Sequence, residues 1–410
     1  MLIISRKTDI KQSNKLSILQ WVRNSGETTQ PEISKELGLS RPTVSALVEE
    51  LILEGYIKVS GMGSSTDQGG KRPKLIAFHA RGGGILALYF TVNTIKAALM
   101  DLSANLLHEL RVSITPKDTT ETMLAKVKDL AGALLLKAKE LGIPVKGIGV
   151  GCPGLVETST GTILTSTHLE VLNGCSLGES LSSAFHLPVW VDNECRNQVL
   201  AEKMFGEGQD VDTFVSLMTD VGIGAGIIID NRIMRGKDDS FGEIGHTTIQ
   251  MDGLKCRCGN DGCWEMYASS NSLMSRIHEN LSRTLLLKDM VQTRDELTFE
   301  LIGEAIRRGD DVVYQLAIED LGKYLGIGIA NLVNSINPEL IIIHGEMIHL
   351  GERLITEIEK QIQQRALPVP KERVRVIFSK LGPKANLIGS CALVLKELFD
   401  NPELLFQVNL

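Results

Sequence analysis

The chain has 410 residues, more than one ordinary domain, and its 43% hydrophobic and 23% charged content fits a soluble globular protein of two or three domains. No run of eighteen apolar residues occurs, and Arg6, Lys7 and Asp9 follow only a short apolar start, which argues against a spanning helix and a signal peptide and points to the cytoplasm, with no membrane partner. The net charge of -7 hides a division, because residues 1–80 hold 11 Lys+Arg against 8 Asp+Glu and the basic excess is confined to that end.

From Asn14 to Val22 the apolar positions Leu16, Leu19, Trp21 and Val22 recur at helical spacing, and Asn24-Ser25-Gly26 ends the run. A second helix starts in Thr28-Thr29-Gln30-Pro31-Glu32, with threonine as N-cap and proline in the first turn, and stops at Gly38. Ser40-Arg41-Pro42-Thr43 opens a third, with Val44, Leu47, Val48, Leu51 and Ile52 on one side and Gly55 closing it. Two helices joined by a tight turn make a helix-turn-helix, and Tyr56–Val59 with Lys74–Phe78 read as the strands of a wing around a Gly/Ser-rich tip. Ser40, Arg41, Thr43 and Ser45 stand at the front of the third helix, where base edges and phosphates are met; Lys71, Arg72 and Lys74 of the wing can reach the backbone or minor groove. A helical packing module without DNA would not need this arrangement. One winged helix covers only a half-site, so the expected partner is an inverted-repeat operator read by a homodimer or higher homo-oligomer.

Beyond residue 80, strands at Ile85–Phe90 and Ile95–Met100 form a hairpin, and Phe214–Thr219 with Gly226–Ile229 repeat it around Gly222-Ile223-Gly224-Ala225-Gly226. A hairpin heading each half suggests two lobes. Gly149-Val150-Gly151-Cys152-Pro153-Gly154 is a turn after a strand, and Val189–Asp192 is an apolar strand running into Asn193-Glu194. Three of the seven cysteines then fall within eight positions, in Cys256-Arg257-Cys258-Gly259-Asn260-Asp261-Gly262-Cys263. With His246, the nearest histidine, Cys256, Cys258 and Cys263 make a closed structural zinc site; a disulfide suits Cys-x-Cys geometry less well than ligation. The other cysteines, Cys152, Cys175, Cys195 and Cys391, are scattered, as in a reducing compartment.

Gly242-Glu243-Ile244-Gly245-His246 followed by Cys-x-Cys-Gly-x-x-Gly-Cys-x-Glu265 resembles the ROK family of sugar kinases and sugar-responsive repressors. The resemblance covers essentially residues 81–400, and the winged helix ahead of it resembles the extension that ROK repressors carry and ROK kinases lack. It implies an α/β chain: an N-terminal winged helix-turn-helix over 1–80, then an actin-like fold of two lobes over 81–205 and 206–410, with the helix Leu387–Leu398 returning to the first lobe. It further implies that Glu243, His246 and Glu265 bind sugar hydroxyls, that His246, Cys256, Cys258 and Cys263 hold zinc, that the Pro153-Gly154 turn sets backbone beside the sugar, and that Asn193 and Glu194 bind hydroxyls. The span 167–173 departs from the family's sugar-side loop, and no ligand is carried over to it.

Three departures set this chain apart from the kinases. Tyr89–Lys96 lacks the Asp and both glycines of the family's first phosphate loop, Glu194 stands where the kinases carry their general base Asp, and His344-Gly345 replaces paired glycines on the adenosine-side strand. The expected protein is therefore not an enzyme but a transcriptional repressor of carbohydrate-utilisation genes, released from its operator by a monosaccharide. D-xylose is the first candidate, because the longer Glu194 takes space a hexose C6 group would need and the chain resembles the family's xylose-type repressors; glucose is next. The alternative is a ROK sugar kinase with an added DNA module.

Overall fold

A computed structural model describes residues 2–63, 72–291, 293 and 296–406, and these fall into two compact units. The first holds residues 1–150, 176–191 and 390–410; the second holds 151–175 and 192–389.

The first unit begins with α1 (Leu2–Ser25), β1 (Glu27–Thr28), α2 (Gln30–Leu37), α3 (Arg41–Leu53), β2 (Ile57–Met62) and β3 (Lys74–Phe78). α1 runs well beyond the Asn14–Val22 core expected from periodicity, since nothing in residues 2–13 breaks a helix. Local signals fix the next two helices. Thr29 and Glu32 form a reciprocal capping box at the start of α2, Gly38 ends it at a left-handed φ of 64°, and Ser40 caps α3 by accepting from Thr43 N–H. Ile18, Leu19, Val22, Ile33, Val44, Leu47, Val48, Leu51, Ile57 and Ile76 are buried as the core of this module. Its sheet has the order β1-β3-β2, and the expected wing tip, with Lys71, lies outside the described residues.

The same unit continues with β4 (Gly84–Phe90), β5 (Thr94–Asp101), β6 (Leu106–Ser113), the helix α4 (Thr120–Glu140) and β7 (Val145–Cys152). After the small hairpin of β8 (Leu155–Glu157) and β9 (Thr162–Thr165), which belongs to the second unit, come β10 (Cys175–Ser176), α5 (Leu177–Phe185) and β11 (Val189–Asn193). The large sheet has the order β11-β7-β4-β5-β6, and every residue of β4 is buried. From Ser390 onward the chain packs into this unit: Ser390 Oγ donates to Leu88 O, Tyr56 OH donates to Leu405 O, and the Phe406 ring meets Tyr56 edge-on.

The second unit opens with α6 (Glu194–Phe205), β12 (Phe214–Thr219), β13 (Ile223–Ile229) and β14 (Arg232–Ile233) and adds β15 (Leu340–His344) and β16 (Arg375–Phe378), in the order β14-β13-β12-β15-β16. β12 and β13 form an antiparallel hairpin, as β4 and β5 do, while β15 runs parallel to β12 and β16 to β15, and the strand order repeats that of the first sheet. β13 starts at Ile223, so Gly224 and Gly226 lie in the strand and not in the hairpin turn expected from sequence. The reason is packing. Gly224 and Gly226 share the face over which α6 passes, and a Cβ would stand 2.5 Å from Cys195 Sγ at the first and 2.1 Å from Cys195 O at the second. On the opposite face, Trp264 is buried in the main core and lies flat on the helix Leu321–Ile336, where a Cβ on Gly328 would come within 2.0 Å of its ring.

Candidate functional site

Gly242–His246 lies along β13 because two of its residues have no side chain. A Cβ on Gly242, whose φ is 105°, would stand 2.2 Å from Ala225 O, and one on Gly245 would stand 2.1 Å from Ile223 O. A one-turn 3-10 helix, Ile244–His246, then turns the imidazole toward the cysteine loop. His246 Nδ1 is 3.6 Å from Cys256 Sγ, and Cys258 Sγ is 3.6 Å from Cys263 Sγ. One ligand atom from each of these four residues lies within 4.8 Å of all the others. The shorter separations approach the ~3.8 Å edge of a tetrahedron with metal–sulfur bonds of about 2.3 Å, so the donor set and its spacing fit a four-coordinate ion. Burial raises the Cys256 and Cys263 thiols, whereas the Asn260 backbone amide holds Cys258 down.

Backbone bonds make the frame rigid. Cys256 N–H donates to Asn260 O, Gly259 N–H to Cys256 O and Trp264 N–H to Thr247 O, while Gly262 (φ 74°) lies so close to Gln250 O that a Cβ would be 1.7 Å away. The Trp264 indole N–H donates to Tyr324 O, fixing Cys263 and Glu265 on either side of it. Glu265 faces two ways. Its Oε1 is 3.1 Å from Cys256 Sγ and 3.5 Å from His246 Nδ1, and its Oε2 is 2.8 Å from the point where a Cβ on Gly222 would stand.

That same point is 3.5 Å from His168 Nε2, which places His168 beside Glu265. Burial lowers the pKa of this half-buried imidazole, although the Glu265 charge opposes the shift, so it is neutral near pH 7 and can both donate and accept. Sequence reasoning passed over it, because the loop around it matches no motif and its neighbours come from distant segments.

Asn193 caps α6 through its side-chain oxygen, which accepts from Cys195 N–H (2.9 Å), and its amide nitrogen donates to Gly154 O (2.9 Å). The Pro153-Gly154 turn is thereby tied to the helix start, and Gly154, at φ 102°, leaves no room for a Cβ beside Thr165 O. Glu194 is the first residue of α6. After burial itself, its charge is the next cause holding the Cys195 thiol up, and the exposed Glu243 acts in the same sense. Among the DNA candidates, Arg41, Arg72 and Lys74 are exposed and Thr43 and Ser45 half-buried, while the Ser40 hydroxyl is engaged as the α3 cap and lies 2.8 Å from Thr43 Oγ1.

A winged helix-turn-helix followed by two five-stranded sheets of one plan, with a Cys3His cluster set among carboxylates, defines a DNA-binding protein on an actin-like, sugar-kinase-like body. The ROK family profile matches residues 86–397 and a winged helix-turn-helix DNA-binding profile matches residues 12–58; the chain belongs to the ROK family. It is 34% identical over 403 residues to a xylose repressor of Caldicellulosiruptor bescii, across 97% of this chain and 98% of the relative. The crystal structure of a ROK family transcriptional regulator, a homologue of the E. coli MLC protein, superposes with a TM-score of 0.81 at 29% identity over 97% of this chain and 98% of that one. A ROK family glucokinase from Streptomyces griseus, solved with glucose and AMPPNP, gives 0.66 at 28% identity over 76% of this chain and 99% of its own. No helix among the described residues is long and apolar enough to cross a membrane.

Proposed function

We propose that this protein is a transcriptional repressor of carbohydrate-utilisation genes that a bound monosaccharide releases from DNA. The observation that carries the reading is the position of Glu265, which faces the Cys3His cluster with one oxygen and His168 with the other, on a chain that begins with a DNA-binding domain. On this reading Asn193, Glu194, Glu243, His246 and Glu265, with the Pro153-Gly154 turn, bind the sugar hydroxyls, and His168 joins them. His246 Nδ1 and the thiolates of Cys256, Cys258 and Cys263 hold a structural zinc ion, which when bound keeps the His246 ring fixed so that Nε2 remains for a hydroxyl. Residues 1–80 form the DNA-binding module, 81–205 and 206–410 the two lobes, and a homodimer or higher homo-oligomer reads an inverted repeat through Ser40, Arg41, Thr43, Ser45, Lys71, Arg72 and Lys74. The similarity to a xylose repressor supports D-xylose as effector, with glucose next.

The kinase alternative is disfavoured by three local features. In the β4–β5 turn the N–H groups of Asn93 and Thr94 donate to Thr91 Oγ1 at 3.3 and 3.0 Å, so they are turned inward where a phosphate loop would offer them to a ligand. Glu194 is one methylene longer than a catalytic Asp. His344, at the end of β15, is buried with Nε2 3.2 Å from Glu202 Oε1, off the line of a hydrogen bond, and fills space that paired glycines would leave open.

The test begins with a DNA fragment selected by the protein from a random pool. D-xylose, glucose and related aldoses are titrated into the preformed complex, and labelled ATP is offered with each sugar. Dissociation by xylose at constant ATP is the expected result; a sugar phosphate would install the kinase reading, and a complex tightened or unmoved by every sugar would remove the inducer.

A further inference from the structure

Next in sequence to the candidate sugar residues Asn193 and Glu194, Asp192 belongs to an ion quartet with Arg196, Arg235 and Asp239. Asp192 is fully buried. Its Oδ1 accepts from Arg196 Nε (2.6 Å) and from Asn193 N–H (2.7 Å), and its Oδ2 accepts from Arg235 Nη2 (2.8 Å). Arg235 reaches on through Nη1 to Asp239 Oδ1 (3.3 Å), whose other oxygen accepts from Thr158 Oγ1 (3.1 Å), and Arg196 Nη1 donates to the Asp239 backbone carbonyl.

These groups come from three separate segments, and each segment runs into a candidate sugar residue. Asp192 precedes Asn193 and Glu194. Thr158 follows β8, the strand after Gly154. Arg235 and Asp239 belong to the loop 234–242, which delivers Glu243. Gly236, Asp239 and Gly242 of that loop all have positive φ; its backbone bonds are Met234 N–H to Ile227 O, Phe241 N–H to Arg235 O and Ala225 N–H to Gly242 O, and the Asp239 carbonyl accepts from Arg196 Nη1. Asp192 and Arg196 are sealed in the interior, but the Arg235 side chain is 31% exposed and spans two carboxylates. A guanidinium can do this because its two Nη groups point in different directions; an ammonium is a single point of charge.

We propose that Arg235 is a positioning residue for the effector, bridging Asp192 and Asp239 so that the Glu243 loop, the Asn193-Glu194 helix start and the β8 segment are held in one register. This rests on reading the site as a sugar site. On this proposal Arg235 acts through the segments it joins and not on the sugar directly. Removing Arg235 breaks the side-chain bridge between Asp192 and Asp239 and leaves only the Arg196 Nη1 bond to the Asp239 carbonyl, with the Asp239–Thr158 pair, across that joint, so Glu243 is held less tightly relative to Asn193 and Glu194, while the cysteine loop, held through Trp264, keeps its place.

The test compares wild type, Arg235→Lys, Arg235→Gln and Arg235→Gln/Asp239→Asn. It measures calorimetric sugar affinity, zinc content, thermal midpoint without sugar, and hydrogen exchange over residues 236–246. Arg235→Gln is expected to weaken sugar binding roughly ten- to hundredfold, the scale of outer-shell partners elsewhere. Zinc content should stay at the wild-type level, and amides of 236–243 should exchange faster. Arg235→Lys should recover the thermal midpoint but not the affinity, and the double variant should be no weaker than Arg235→Gln, since the bridge is lost once. Wild-type affinity in Arg235→Gln, or affinity that falls only in step with the thermal midpoint and recovers with lysine, overturns the positioning role. Wild-type protein that binds no sugar of the panel defeats the functional reading, and unchanged exchange over 236–243 in Arg235→Gln then overturns the bridge independently.

Discussion

Cys258 is the exposed corner of the Cys3His cluster, while Cys256 and Cys263 are buried beneath it. Its substitution therefore tests the cluster with little disturbance of the core. Cys258→Ser is expected to lower zinc retention and, with it, sugar affinity, because His246 and Glu265 are placed by the same frame and Cys258 is not itself among the proposed sugar-binding residues. Metal analysis and calorimetry on one preparation would check this, and normal sugar affinity in metal-free protein would refute the coupling. Asn193 illustrates a residue doing two tasks at once. The cap on α6 and the bond to Gly154 each use one end of its amide, leaving one N–H and one lone pair for a ligand.

At the scale of elements, α3 presents Arg41 at its first turn, exposed, with Ser40 and Thr43 bonded to each other beside it. Arg41→Ala should weaken operator binding by about 1–3 kcal/mol if the guanidinium reads a base edge, and gel-shift titration against matched and mismatched sites would separate base reading from a phosphate contact. Both caps of the helix-turn-helix were legible in the sequence because capping is local: the Thr29/Glu32 and Ser40/Thr43 pairs lie within four positions. The cluster of His246 and three cysteines was legible for the same reason. The role of Gly224 and Gly226 was not, since it depends on α6 crossing β13, and a glycine demanded by a passing helix looks in sequence like one demanded by a turn. His168 and the Asp192–Arg235–Asp239 network escaped for a related cause. Arg235 and Asp239 are four residues apart, but the bonds that join their loop to Asp192 and Arg196 span 43 residues, where no periodicity links them.

At the scale of the whole molecule, stability should carry the signature of the buried His344 and Glu202. Burial pushes His344 down to about 3 from 6.5 and pushes Glu202 up from 4.5. As pH falls from 6.5 toward 3, the unfolded chain takes up a proton at His344 that the folded chain refuses, so stability declines by at most about 1.4 kcal/mol per pH unit. Glu202 works in the opposite sense, since the folded chain keeps a proton that the unfolded chain releases above 4.5, and stability falls as pH rises through that range. His344→Gln should therefore flatten the loss of thermal midpoint between pH 6.5 and 4 in a melting series; a slope equal to wild type would exclude His344 as the cause. The placement of Trp264 has an optical consequence. The chain has three tryptophans, and the other two, Trp21 and Trp190, belong to the first unit. With both replaced by phenylalanine, the remaining indole, clamped on Gly328 and joined directly to Cys263 and Glu265, becomes a built-in fluorophore whose emission should shift to the red when a chelator loosens the loop, so that metal loss can be followed in real time without a label.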